Sequence, residues 1–66
     1  MKWLTLGTRP QFVEDIKTWF SKNSIQYSET VIENDGIAHV FYRPIGKEQK
    51  DKCIEYIAYR CNNNLL

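Results

Sequence analysis

The dipeptide Asp35-Gly36 constrains the fold more than any other feature of the sequence. It separates two strand-like runs, residues 25–33 and residues 37–43. Glycine readily adopts the positive φ that tight turns need, and Asp-Gly between two such runs is a strong short-range signal for a β-hairpin. We therefore predict an antiparallel hairpin with a two-residue loop. This register gives two direct pairs: Val31 with Val40 and Thr30 with Phe41.

Alternation of side chains along a strand divides this hairpin into two faces. The first face would carry Ile25, Tyr27, Val31, Ala38, Val40 and Tyr42. The second face would carry Gln26, Ser28, Thr30, Ile32, Ile37, His39, Phe41 and Arg43. A three-residue loop would change which residues share a face, so the assignment depends on the loop length.

A strand and a helix are predicted before the hairpin. Residues 2–6 are rich in aromatic, β-branched and apolar side chains and predict a short strand that Gly7 ends. The run from Thr8 to Gln11 fits a capping box with Thr8 as the N-cap, and Pro10 suits the first helical turn. The helix would end near residues 23–24. Its apolar stripe, at helical spacing, consists of Phe12, Val13, Ile16, Trp19 and Phe20.

A second helix is predicted after the hairpin. Pro44 cannot donate to a strand ladder and stops the third strand. The helix would start near Gly46 or Lys47 and end at residues 62–64. Tyr56 and Tyr59 would flank its apolar side. That side consists of Cys53, Ile54, Ile57, Ala58 and Cys61.

These elements predict an α+β fold with the order β-α-β-β-α. A chain of 66 residues that starts at Met1 and has no tag-like tract is expected to be a complete small protein with a single domain, residues 1–66. The fold would have two layers, a three-stranded antiparallel sheet packed against two helices. Both helices would cover one face of the sheet and leave the other face open.

Charge and composition predict a cytoplasmic protein without a membrane segment. The net charge is +1, from 9 basic and 8 acidic residues, and there is neither a membrane-length apolar run nor a signal peptide. Cys53 and Cys61 would lie about 12 Å apart along one helix, too far for a disulfide, so we expect buried free thiols. Abundant Asn, Lys, Ile, Tyr and Phe follow AT-rich codons and indicate a low-GC bacterium or a phage, whose product would act in the host cytoplasm.

No pattern of catalytic or metal-binding residues stands out. His39 is the only histidine, and a Cys–His pair would need one of the helix thiols to reach it across the fold. Structural zinc sites use four ligands at short spacings that this chain does not have. The glycines are isolated, so no phosphate-cradling loop is present. We predict a protein that is not an enzyme and uses neither a cofactor nor a metal ion.

Aromatic residues are the feature that points to a partner. The chain has nine of them, two Trp, four Tyr and three Phe, which is more than a core of this size needs. Aromatic residues and Arg are enriched at interface hot spots. The sequence therefore predicts a small module that docks on another protein, as a regulator or inhibitor. The predicted contact residues are His39, Phe41, Tyr42, Arg43, Tyr56 and Tyr59.

Two alternatives remain open from the sequence. An exposed sheet with aromatic and basic side chains can bind RNA or single-stranded nucleic acid by stacking and by phosphate contacts. The residues predicted for that role are Phe41, Arg43, Lys47, Lys50 and Lys52. The second alternative is a homodimer that buries the open face of the sheet.

Overall fold

The computed structural model describes residues 2–66 and confirms the predicted α+β architecture. The order of strands and helices is the predicted one, with a short 3-10 turn before the first helix. The elements are β1 (Leu4–Thr8), the 3-10 turn (Pro10–Phe12), α1 (Val13–Lys22), β2 (Gln26–Asn34), β3 (Ile37–Arg43) and α2 (Gly46–Asn62). Within residues 2–66, no helix has the length and apolar character needed to cross a membrane.

The hairpin between β2 and β3 has the predicted two-residue loop. Asn34 pairs with Ile37, and the loop residues Asp35 and Gly36 have positive φ angles of 54° and 79°. Two successive residues with positive φ are characteristic of the type I′ turn, whose twist matches that of the flanking strands. β3 is the central strand, because β1 pairs antiparallel with its other side.

The centre of β2 is irregular. Two pairs bracket the irregularity: Tyr27 with Tyr42 and Val31 with Val40. Three residues of β2 therefore face the single residue Phe41 of β3. The predicted pairing of Val31 with Val40 is confirmed, whereas the bulge replaces the predicted pairing of Thr30 with Phe41. Because the bulge adds two residues and side chains alternate with a period of two, Tyr27 and Val31 still share one face.

The core lies between one face of the sheet and both helices. Phe20 of α1 is fully buried at its centre, with its ring stacked 5.0 Å from that of Tyr42 and 6.1 Å from that of Tyr27. The predicted apolar stripe of α1 is confirmed, since every member belongs to the core or packs against it. The buried core residues are Leu6, Ile16, Phe20, Ile25, Val40, Tyr42 and Cys53.

The first strand is shifted relative to the prediction. It was expected at residues 2–6 and to end at Gly7, but β1 runs from Leu4 to Thr8 and includes the glycine. A Cβ atom at Gly7 would lie 3.3 Å from Cγ2 of Ile37, which is tighter than most such contacts. Glycine therefore permits a close approach between β1 and β3 and does not end the strand.

The predicted capping box at Thr8 is wrong. Thr8 is the last residue of β1, where it pairs with Ala38, and its side chain is buried. The chain then enters the 3-10 turn, for which Arg9 is the N-cap and provides no capping hydrogen bond from its side chain. The 3-10 turn begins one residue later than a cap at Thr8 requires, and α1 begins only at Val13, so Thr8 is too early in the chain for its hydroxyl to cap either of them.

α2 begins at Gly46 as predicted, and Cys53 and Ile57 of the predicted apolar stripe lie in or against the core, but the buried side is rotated relative to the predicted one. Three members of the predicted apolar stripe are exposed: Ile54, Ala58 and Cys61. Arg60 is only 7% exposed and packs in their stead against Phe12, which precedes α1. Its guanidinium carbon lies 5.2 Å from the ring centroid of Phe12 and 5.6 Å from that of Tyr56. An apolar pattern assigns arginine to solvent, so it orients this helix incorrectly.

Arg60 is a buried cation that donates its hydrogen bonds to uncharged groups. Its Nε donates to the carbonyl oxygen of Leu65 at 2.9 Å, and its Nη1 donates to the hydroxyl oxygen of Tyr56 at 3.1 Å. The Nη2 atom is buried and has no hydrogen-bond partner among residues 2–66. Arg9 holds the same terminal segment from the other side, through the carbonyl oxygens of Asn64 and Leu66.

Candidate functional site

The sheet face that points away from both helices is open. It carries three large apolar side chains that are 42%, 52% and 46% exposed: Trp3, Ile32 and Ile37. Alternation along β3 places His39 and Phe41, both half-buried, between these positions. We call this surface the open face and define it by seven residues: Trp3, Thr5, Ile32, Ile37, His39, Phe41 and Arg43.

One end of the open face is fixed by a polar and aromatic cluster. The Nε and Nη2 atoms of Arg43 donate to Oε1 of Gln26 at 3.1 and 2.7 Å. The guanidinium of Arg43 also lies over the indole of Trp3, 4.9 Å from the ring centroid. These contacts hold the arginine flat against the sheet, so both its charge and the tryptophan are presented in a defined orientation.

Tyr42 does not belong to the open face, which corrects its predicted role as a contact residue. It is 7% exposed and lies on the helix-covered face, because alternate residues of a strand point to opposite sides of the sheet. Burial, followed by the nearby Cys53, raises the pKa of the Tyr42 hydroxyl above its ordinary value. The side chain serves the core by stacking on Phe20.

The two other predicted tyrosines lie on the helical side of the molecule. Tyr56 stacks on Trp19 with ring centroids 3.9 Å apart and planes 2° from parallel. Tyr59 lies one turn on and is exposed. A shallow cleft of about 330 Å³ separates α1 and α2 here, lined by Trp19, Asn23, Lys52, Glu55, Tyr56 and Tyr59. The six predicted contact residues therefore occupy three places: the open face, the core and this helical cleft.

The residues predicted for nucleic-acid binding are also divided. Lys52 lines the helical cleft, and Lys47 forms an exposed ion pair with Asp51 at 3.5 Å. Lys50 lies beside Arg43, in a second cleft of about 200 Å³ between β1 and the start of α2. We call this the basic cleft. It is lined by Lys2, Leu4, Arg43, Pro44 and Lys50.

Two residues of these surfaces were missed by the sequence prediction. Neither Trp3 nor Lys2 is among the residues predicted to contact a partner. A signal for Trp3 was present, since Leu4 and Leu6 alternate with it and would occupy the core side of the same strand. Nothing in the sequence placed Lys2 beside Lys50, because their proximity depends on how α2 packs against β1.

The thiols and the histidine lie apart from one another. Cys53 is buried on the helix-covered side, where burial raises the pKa of its thiol, whereas His39 lies on the open face. Cys61 is exposed on α2, which corrects the expectation that both thiols are buried. In the described part of the chain, no three His, Cys, Asp or Glu side chains lie close enough together to hold a metal ion.

Comparisons of the chain with protein-family models, with curated proteins and with solved structures find no match. Function is therefore inferred from the geometry of the surfaces described above.

Proposed function

We propose that this protein is a small, non-enzymatic binding module that docks on a partner protein through the open face. The observation that carries the proposal is the set of large apolar side chains exposed together there, Trp3, Ile32 and Ile37. Ile32 and Ile37 lie at one end of the face and Trp3 at the other, with His39 and Phe41 between them. Large apolar side chains exposed on one face of a small protein commonly mark an interaction site. Half-buried aromatic neighbours and an oriented arginine add the residue types that are enriched at interface hot spots.

The mechanism we propose is steric. A protein of this size, with principal extents of 32 × 25 × 18 Å, can cover the working surface of a larger partner and so regulate or inhibit it. The free thiols are consistent with action in the cytoplasm, where disulfides are rare. The AT-rich composition supports a source in a low-GC bacterium or a phage, in which case the partner is a host protein.

The proposal is tested by placing charge on the open face. The variant Ile32→Glu/Ile37→Glu changes two exposed positions, so the core keeps its packing. The matched control is Ile54→Glu, which makes the same change at an exposed position of α2. Affinity capture from a cell lysate, with nuclease added, is followed by mass spectrometry and by measurement of the affinity for the recovered protein.

A discrete protein that binds the wild type and the Ile54→Glu control, but not the open-face variant, is the expected result. We expect its affinity for the open-face variant to fall by about 100-fold, because two carboxylates would be buried without partners. Equal binding by all three proteins would show that docking uses another surface. Sedimentation of the purified protein gives its molecular mass. A monomer supports docking on a different protein, whereas a homodimer would mean that the partner is a second copy.

Binding of single-stranded nucleic acid is a second candidate, favoured by the cluster at one end of the open face. Arg43 stacks on Trp3, and Lys2 and Lys50 share its cleft, so a base-stacking group and three cations lie together. This candidate predicts binding to labelled oligonucleotides of about 15 nucleotides that weakens steeply with added salt. Absence of binding at low salt would exclude it, and Trp3→Ala would abolish it if it is correct.

A further inference from the structure

The two outer edges of the sheet differ in how they are protected. The edge of β2 carries the bulge, and Lys17 of α1 crosses to it, donating from Nζ to the carbonyl oxygen of Glu29 at 3.2 Å. Charged side chains, bulges and covering elements are the usual means by which proteins block sheet edges. The edge of β1 has none of these, because its sequence Leu-Thr-Leu-Gly-Thr lacks charge, proline and a bulge.

The hairpin turn determines which backbone groups of β1 point outward. Asn34 and Ile37 flank a two-residue turn and so form a hydrogen-bonded pair, which directs the backbone groups of Ile37 toward β2. Alternation along β3 then directs those of residues 38, 40 and 42 toward β1. Their partners in β1 are Thr8, Leu6 and Leu4. The two residues between them, Thr5 and Gly7, therefore direct their N–H and C=O groups away from the sheet.

These outward groups are available for pairing. Within residues 2–66, no hydrogen bond outside the sheet involves the backbone of Thr5 or Gly7. Gly7 has no side chain to shield its own peptide groups. Two donors and two acceptors, at the spacing of a β-strand, are thus left to solvent or to another chain.

Clefts lie beside both ends of this edge. The basic cleft includes Leu4 at the start of β1, and a third cleft of about 270 Å³ includes Gly7 and Thr8 at its end. The other residues lining the third cleft are Arg9, Ile37 and Leu66. A strand added to β1 would have room beside it for side chains that alternate between the two sides of the sheet.

Both ends of the edge are positively charged. Lys2, Arg43 and Lys50 lie at the start of β1, and Arg9 follows its last residue. The two ion pairs found among residues 2–66 are Lys17–Glu29 and Lys47–Asp51, so none of these four cations is paired with an Asp or Glu side chain there. Arg9 is bonded instead to main-chain oxygens of Asn64 and Leu66. Antiparallel pairing of β1 with a second copy through these outward groups would place Thr5 opposite Gly7 of that copy and would bring the strand end that carries Lys2 next to the end that carries Arg9 of the copy. Like charges gathered at both ends disfavour this arrangement and favour a strand that brings its own carboxylates.

We propose that the edge of β1 accepts an extended acidic segment of a partner protein as a fourth strand. This inference rests on the proposed docking function and specifies how the partner is held. The segment pairs with the outward backbone groups of Thr5 and Gly7, and its acidic residues lie against the cations at each end of β1. The open face, adjacent to the same strand, supplies the contact with the body of the partner.

A displayed library of random peptides of about 12 residues, long enough to cover β1 and both flanking clusters, is the probe. It is selected on the wild type and compared on two variants at one position. Thr5→Pro removes an outward N–H, while the bonds between β1 and β3 made by Leu4 and Leu6 remain, and proline is tolerated on edge strands. Thr5→Val keeps that N–H and is the matched control. Circular dichroism and urea unfolding confirm that both variants are folded.

The expected result is enrichment of peptides rich in Asp and Glu that bind the wild type and Thr5→Val equally. Their affinity for Thr5→Pro should fall about tenfold or more, since a carbonyl of the added strand loses its donor. Lys2→Glu/Lys50→Glu should weaken the same peptides. In amide exchange, the N–H groups of Thr5 and Gly7 should exchange rapidly in the free protein and slowly in the complex.

Three outcomes of the selection would overturn the proposal: no peptide, peptides without acidic residues, or peptides that bind Thr5→Pro as well as they bind the wild type. If such peptides lose binding to Ile32→Glu/Ile37→Glu, docking through the open face stands and only strand addition fails. A concentration-dependent dimer that Thr5→Pro dissociates would also refute the proposal, because a second copy would then be the occupant of the edge.

Discussion

Replacing Arg60 tests whether a buried cation without a carboxylate partner lowers the free energy of unfolding. The residue makes two hydrogen bonds, from Nε to Leu65 and from Nη1 to Tyr56, and leaves Nη2 unpaired. Each bond from a charged donor contributes about 1.5–3 kcal/mol, and a buried unpaired donor costs about 1–3 kcal/mol. Methionine removes the bonds and also the whole cost of burying the charge, while it fills similar volume. Because replacing a buried charge by an apolar side chain of similar volume is often nearly neutral, we expect Arg60→Met to remain within about 1 kcal/mol of the wild type.

Lysine at the same position keeps the positive charge but lacks the planar, forked guanidinium. Arg60→Lys removes the flat contact with Phe12 and Tyr56, and one ammonium replaces a fork of donors. The lost contact and at least one lost hydrogen bond together give a destabilisation of about 2–4 kcal/mol. That is a large share of the total, since a chain of this length has a free energy of unfolding of about 3–10 kcal/mol.

The assay is urea unfolding followed by tryptophan fluorescence, which reports on Trp19 because its ring stacks on Tyr56. Lys50→Met is the control, and at this exposed position the change should stay within about 0.5 kcal/mol. If Arg60→Lys proves as stable as Arg60→Met, the prediction is refuted. That result would mean that an ammonium without the donors and flat contacts of the guanidinium costs no more in this site than an uncharged side chain does.

Three further predictions follow from burial and backbone geometry. A thiol reagent should label Cys61 rapidly and Cys53 only on unfolding, and equal rates would contradict the burial of the latter. Gly36→Ala should lower the free energy of unfolding by about 1 kcal/mol, because φ is +79° there; Gly36→Asn should cost less, and the reverse order would refute the turn assignment. Burial raises the pKa of Tyr42 above 10.0 and of Cys53 above 9.0. The folded state keeps these protons where the unfolded state loses them, so stability should fall above about pH 9. Tyr42→Phe should lose less stability than the wild type between about pH 9 and 11. Equal losses would show that ionisation of Tyr42 does not cause the fall in stability.

Local signals in the sequence were sufficient to predict the hairpin. Asp35-Gly36 determined the turn type, and the bounds of β3, Ile37–Arg43, are the predicted ones. The apolar stripe of α1 was equally direct, because Ile16 and Phe20 recur at helical spacing and are fully buried. These features depend on residues close together in the chain, where backbone preference and periodicity point to one structure.

Features that depend on tertiary packing were not predicted. Thr8 satisfied the pattern of a helix cap, but its partner Ala38 holds it in the sheet. α2 buries Arg60 in preference to Cys61, which no scale of apolarity anticipates. The error at Tyr42 has another origin, since the predicted contact residues combined Tyr42 with Phe41 although the predicted faces of the hairpin already separated them. The alternation of the strand places these two side chains on opposite faces.

The bulge in β2 places a limit on how the length of this strand can change in evolution or by engineering. The three residues opposite Phe41 are two more than a regular ladder would have, and Tyr27 and Val31 stay on the core side. Deleting two of the three would restore regular pairing with every side chain still on its own face. Deleting one would exchange the core and solvent positions on one side of the bulge. Homologous strands should therefore differ in length by even numbers of residues. A label that is inserted into β2 is tolerated best when it adds two residues at the bulge.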